Sequence, residues 1–238
     1  MRWLRRTRTW SIPSGRDWRD VRFTVIDVET TGLDLLVDDI VSIGVVDIVH
    51  GWVDSSKSWY QLVRPRRRID VEAIKTHCLT QDLLASAPDI ADVAGPLLER
   101  LQGSVPVAHA AWIERAFIDR ALAPSGWRIP GQLVDTAVLS QAAVPLTTVG
   151  HEPHLESLAR ELGLPVFTPH HALGDTMTTA ILMIALATRL EAEQGRAVVG
   201  QLVGTTRNRA SRHSSRERIT GRDPAHGAPP QRLPPPTP

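Results

Sequence analysis

The sequence predicts an α/β fold: a mixed sheet, antiparallel meander first and parallel strands after it, with helices packed on its faces. Three observations carry this. Three strand-like runs follow one another with short links, and after Pro65 the pattern changes to helices alternating with short apolar strands. The 42% hydrophobic content of 238 residues is enough for one substantial domain, with material left over at both ends.

The meander comprises residues 22–29, 40–49 and 58–63, separated by Gly32, the Asp38-Asp39 pair and Gly51. Residues 71–76 form a short helical candidate. Residues 90–101 form a longer one, opened by Pro88-Asp89, and residues 105–109 a short apolar strand after Gly103. Ile113, Phe117 and Ala121 give residues 111–122 helical spacing. Leu133-Val134 is a strand end preceding a helix over 136–142. Residues 154–162 close at Gly163, and 173–190 make a long apolar helix.

The net charge of +1 hides an asymmetry. Residues 1–22 carry seven Arg against Asp17 and Asp20, and residues 204–238 carry seven Arg against Glu217 and Asp223, so the body between them is strongly acidic. An acidic body between basic ends suits a cation site flanked by arms that meet phosphates. This division gives a Trp/Arg-rich leader over 1–21, a domain over 22–203 and a basic, Pro-rich tail over 204–238, expected to be disordered. The single cysteine, Cys78, forms no internal disulfide and is expected as a small buried apolar residue in a reducing compartment. No stretch approaches the apolar length of a membrane span. The N-terminal arginines have no apolar core or cleavage site behind them, so the expectation is a cytoplasmic protein without a membrane partner.

The chemistry begins at Asp27 and Glu29. Two residues apart at the end of an apolar strand, their side chains point the same way. Like charges held side by side need a cation or a proton between them, and a divalent metal is the natural third party. Later segments supply further groups. Glu114 stands in the first turn of the helix after His109, Asp135 ends a strand and can cap a helix, and Asp175 opens the long helix behind His170-His171. The lack of clustered Cys argues against structural zinc, whereas carboxylate oxygens suit Mg²⁺ or Mn²⁺. The Arg64-Pro65-Arg66-Arg67-Arg68 run is a basic turn able to guide phosphates.

Asp27-Val28-Glu29-Thr30-Thr31-Gly32-Leu33, with His170, Ala172 and Asp175 in a His-x-Ala-x-x-Asp frame, resembles the DEDD exonucleases of the histidine-containing branch, which includes the proofreading epsilon subunit of bacterial DNA polymerase III. The resemblance covers about residues 22–190, including Ala73–His77 and Leu155–Gly163. The second motif departs from the family's His-Asn-x-x-Phe-Asp: Ala110, Ile113 and Glu114 replace Asn, Phe and Asp, and Cys78 replaces a neighbouring Gly.

The resemblance implies a ribonuclease H-like fold and a metal-dependent 3′→5′ exonuclease acting on single-stranded nucleic-acid ends, DNA in preference to RNA. It implies two ions, Mg²⁺ or Mn²⁺, on Asp27, Glu29, Asp175 and Glu114, with His170 as general base. It also implies substrate contacts at Thr30, Thr31, Leu33, His77 and His109, and a DNA polymerase or repair complex as partner. His171 is expected as an exposed loop residue. RNA trimming by the same chemistry, or a non-catalytic nucleic-acid-binding module should Glu114 disable the site, are the alternatives.

Overall fold

The computed structural model describes residues 7–143 and 153–203; the tail from 204 and the first six residues lie outside them. Five strands form one sheet in the order β3-β2-β1-β4-β5. β1 (Phe23–Thr30), β2 (Ile40–Val49) and β3 (Trp52–Leu62) are the antiparallel meander, and β4 (Val105–Ala108) and β5 (Val134–Asp135) join β1 in parallel. Helices α1 (Val71–His77), α2 (Gln81–Leu84), α3 (Ile90–Leu101), α4 (Trp112–Leu122), α5 (Thr136–Ala143), α6 (Leu155–Glu161) and α7 (Ala172–Gln194) connect and cover it.

Alternation along β1 builds two cores. Phe23 and Val25 pack with α5 and α7, whereas Ile26 and Val28 pack with α3 and α4. β1 is therefore buried on both faces, as its apolar run requires. The face shared with α7 continues toward Asp27 and Glu29, which places the acidic pair where the long helix begins.

Two elements and one residue differ from expectation. β3 starts six residues earlier, at Trp52, because His50 (φ 53°) and Gly51 (φ 77°) both adopt the left-handed conformation of a tight hairpin turn. The exposed polar stretch from Ser55 to Ser58 shows no apolar alternation, since β3 is an edge strand. The single turn of α2, capped by Thr80 Oγ1 accepting from Leu83 N, is too short to show a period. Cys78 is exposed rather than buried: it ends α1 in the left-handed region, at φ 61°, a position that favours glycine.

Residues 7–21 pack against the domain. Trp18 is fully buried, the Trp10 indole donates to Ser104 O at 2.7 Å, Arg8 stacks over Trp127, and Asp17 bridges to Val198. By length and composition α7 is long and apolar enough to cross a membrane, contrary to the sequence expectation; 56% of its apolar window is buried inside the fold as a core helix.

Candidate metal centre

Strand register and one glycine assemble the acidic cluster. On β1, Asp27 pairs with Gly44 and Glu29 with Ser42 of β2, leaving both carboxylates on the face that meets α7. A Cβ on Gly44 would lie 2.2 Å from the carbonyl oxygen of Ala172, so only glycine lets the first turn of α7 rest directly on the strand. A Cβ on Gly174 would likewise meet Thr168 O at 2.4 Å, so the preceding loop also closes on the helix start. The result is that carboxylate oxygens of Asp27, Glu29 and Asp175 lie within 4.8 Å of one another, the one such cluster of potential ligands among the described residues.

The energetic state of these acids follows from the crowding. Burial pushes the pKa of Asp27 well up, and the charges of Glu114, Glu29 and Asp175 add to the rise. Glu29 is pushed up to about 8, by burial first and the charge of Asp175 second. Burial raises Asp175 to about 6, while its carboxylate gains partial compensation from the His170 backbone N–H, which donates to Oδ2 at 2.9 Å. Such a group cannot ionise fully at neutral pH without a cation. Its donors are all hard carboxylate oxygens, the set that Mg²⁺ and Mn²⁺ accept.

Glu114 belongs to the margin of this cluster. It lies in the first turn of α4, only 6% exposed, and its charge is the largest electrostatic influence on Asp27. The chain reaches α4 from β4 through Ala110 at φ 54°, and Asp135 fixes that turn by accepting from Ala111 N at 3.1 Å. The same carboxylate accepts from Ala137 N at 3.0 Å and so caps α5, the role its sequence position suggests.

His170 occupies the loop before α7 at φ 58°, its side chain 54% exposed and its Nε2 3.5 Å from Glu156 Oε1. His171, expected in solvent, is instead half-buried, stacked on Tyr60 with ring centroids 4.4 Å apart. Among the expected substrate contacts, Leu33 is 80% exposed beside the acidic strand end. The polar groups of the others are engaged within the fold. Thr30 Oγ1 donates to Gly32 O, and Thr31 Oγ1 donates to Asp38 and accepts from Asp39 N. His77 accepts from Leu79 N at Nδ1, so its Nε2–H donates to Thr30 O, and burial lowers its pKa. The His109 ring nitrogens meet Thr136 Oγ1 and Pro153 O at 2.9 and 2.7 Å. These side chains shape the acidic loop and the start of α4.

Sequence reasoning missed Gly44, Glu156 and Tyr60. Gly44 carries a partial signal, as a glycine inside a β-branched run often marks a close backbone approach. Glu156 and Tyr60 join the site only through long-range packing.

The family described as "Exonuclease" matches residues 24–183. A "DNA polymerase III subunit epsilon-like protein" of Rhodobacter capsulatus is 36% identical over 173 residues, covering 71% of this chain and 24% of that protein. A "DNA polymerase III PolC-type" of Thermotoga maritima is 32% identical over 164 residues, covering 68% of this chain and 11% of the other. The chain thus spans a quarter or less of these two relatives. Among solved structures, exonuclease X in complex with 5′ overhanging duplex DNA is 28% identical with a TM-score of 0.60, covering 77% of this chain and 99% of that one.

Proposed function

We propose a 3′→5′ direction and a divalent-metal mechanism for this chain, which belongs to the exonuclease family that its residues 24–183 match. The observation that carries the reading is the convergence of Asp27, Glu29 and Asp175, three buried or half-buried acids whose ionisation requires a cation. The catalytic unit is assigned to residues 22–203 and the substrate to single-stranded DNA ends. A polymerase or repair complex is the partner class that the names of the relatives support. The 5′-overhanging duplex bound by exonuclease X favours a second substrate reading, a recessed 3′ end.

Asp27 feels the charges of Glu114, Glu29 and Asp175 together, so these four carboxylates are the residues that would hold divalent metal, with Asp27 at the centre and Glu114 at the margin. When bound, Mg²⁺ or Mn²⁺ supplies neutralisation of charge on the entering and leaving oxygens and acidifies the attacking water. His170 takes the proton of that water on its imidazole. Glu156, 3.5 Å from Nε2, then stabilises the imidazolium. Leu33 packs against the terminal nucleotide, while His77 and His109 act by holding the loop and helix that bear the acids. Glu114 is one methylene longer than Asp, a difference of about 1.5 Å that a water-mediated hold on a divalent ion would absorb.

The test is incubation of 5′-labelled single-stranded DNA, recessed duplex and RNA with Mg²⁺ or Mn²⁺, then with EDTA. The expected result is stepwise shortening from the 3′ end that EDTA stops and Asp27→Ala abolishes. Binding of all substrates without shortening under either metal would refute the enzymatic reading.

A further inference from the structure

We propose that Tyr60 is a positioning residue for the metal centre: its ring, stacked on His171, holds the turn at His170 and the first turn of α7 against the acidic strand. The inference rests on the reading of that centre given above.

The sheet register places Tyr60 for this task. Asp27, Gly44 and Tyr60 form one row across β1, β2 and β3, so the Tyr60 side chain leaves the same face as Asp27. Between them Gly44 offers no side chain, and the Ala172 backbone fills the space. The first turn of α7 is therefore wedged, with Asp27 on one side and the Tyr60 ring on the other. Burial raises the Tyr60 hydroxyl pKa, an interaction with the Ser42 side chain acts the other way, and the charge of Glu29 adds to the rise, which agrees with its place beside the acids.

The turn needs holding. His170 has φ 58°, a conformation that residues other than glycine disfavour and that persists where neighbours over-determine it. Two hydrogen bonds tie it to the helix: His170 N donates to Asp175 Oδ2 and Asp175 N donates to His171 O, both at 2.9 Å. These bonds join the turn to α7 but not to the sheet. The ring pair, with centroids 4.4 Å apart and planes at 23°, supplies a link to β3. Loss of the ring would let the His170 imidazole and the Asp175 carboxylate drift together relative to Asp27 and Glu29.

The experiment compares Tyr60→Phe, Tyr60→Leu, His171→Leu and the double Leu variant in the full chain. It measures kcat and KM on labelled single-stranded DNA and hydrogen exchange of the His170 amide in the metal-free protein. Tyr60→Leu is expected to lower kcat on the order of 10- to 100-fold, as for a misplacement of about 1 Å, with KM within about 2-fold. The His170 amide is expected to exchange at least ~10-fold faster, since its bond to Asp175 opens more often. Tyr60→Phe keeps the ring and should restore both properties, and the double variant should be no worse than the poorer single one.

Unchanged kcat and exchange in a folded Tyr60→Leu protein would overturn the inference. So would an equal loss in Tyr60→Phe, which would make the hydroxyl the acting group, or a rise in KM alone, which would make the ring a substrate contact. If Tyr60→Leu fails to fold by circular dichroism, His171→Leu carries the same test from the opposite ring. A wild-type protein inactive with every metal refutes the nuclease reading instead, while His170 exchange still decides the stack.

Discussion

Removing metal should make this protein lose stability as pH rises, and replacing Glu29 by Gln should cancel much of that loss. Glu29 is held at about 8 against its ordinary 4.5, and Asp175 at about 6 against 3.8. Both folded-state values lie above the unfolded ones, so the folded protein binds these protons more tightly. Their stabilising contribution is complete below about pH 4, and it is lost progressively as pH rises through about 6 for Asp175 and about 8 for Glu29. At ~1.4 kcal/mol per pH unit, the interval from 4.5 to 7 costs ~3 kcal/mol at Glu29 alone. Because Asp175 is part of what raises Glu29, this figure is taken once for the pair. In a domain of this size ~3 kcal/mol corresponds to a fall in Tm of about 6–12 °C. The assay is thermal and denaturant unfolding from pH 4.5 to 8 in EDTA, in wild type and Glu29→Gln. The variants should coincide at pH 4.5 and diverge by pH 7, with Gln the more stable. Adding Mg²⁺ should recover wild type near pH 7 and affect Glu29→Gln much less. Parallel curves for the two proteins, or equal rescue by Mg²⁺ at pH 4.5 and 7, would refute the electrostatic account.

Other substitutions probe how the fold delivers these acids. Gly44→Ala places a Cβ 2.2 Å from Ala172 O and should destabilise by about 1–3 kcal/mol in urea unfolding, with a loss of nuclease rate exceeding what the unfolded fraction explains. Cys78→Gly and Ala110→Asn relieve left-handed backbone at φ 61° and 54°; each should stabilise by about 0.5–1 kcal/mol in the same assay. Glu114→Ala should lower kcat at least ~100-fold, whereas Glu114→Asp should change it less than ~10-fold, measured on labelled DNA with Mg²⁺. A large gain in Glu114→Asp would show that the longer side chain is a handicap.

Much of this was legible in the sequence because its determinants are local. The apolar run ending in Asp27 and Glu29 defines a buried strand and the common direction of two carboxylates. Asp135 announces its cap by standing before a helical run, and the motif frame identifies Asp175 and His170. What was hidden is set by distant partners. The edge position of β3 explains why its polar half was missed, and the stack of His171 on Tyr60 depends on a register across three strands. Cys78 was misjudged because a small apolar residue was expected inside, whereas its position is governed by the backbone at a helix end.

The central claim, that Asp27, Glu29 and Asp175 with Glu114 form a two-ion centre, is tested most directly by anomalous diffraction from crystals soaked in Mn²⁺. Two manganese peaks about 3.5–4 Å apart, both in contact with Asp27, are expected, one of them also on Glu29 and Asp175. A cluster that stays empty at saturating Mn²⁺, or binds its metal away from Asp27, would contradict it.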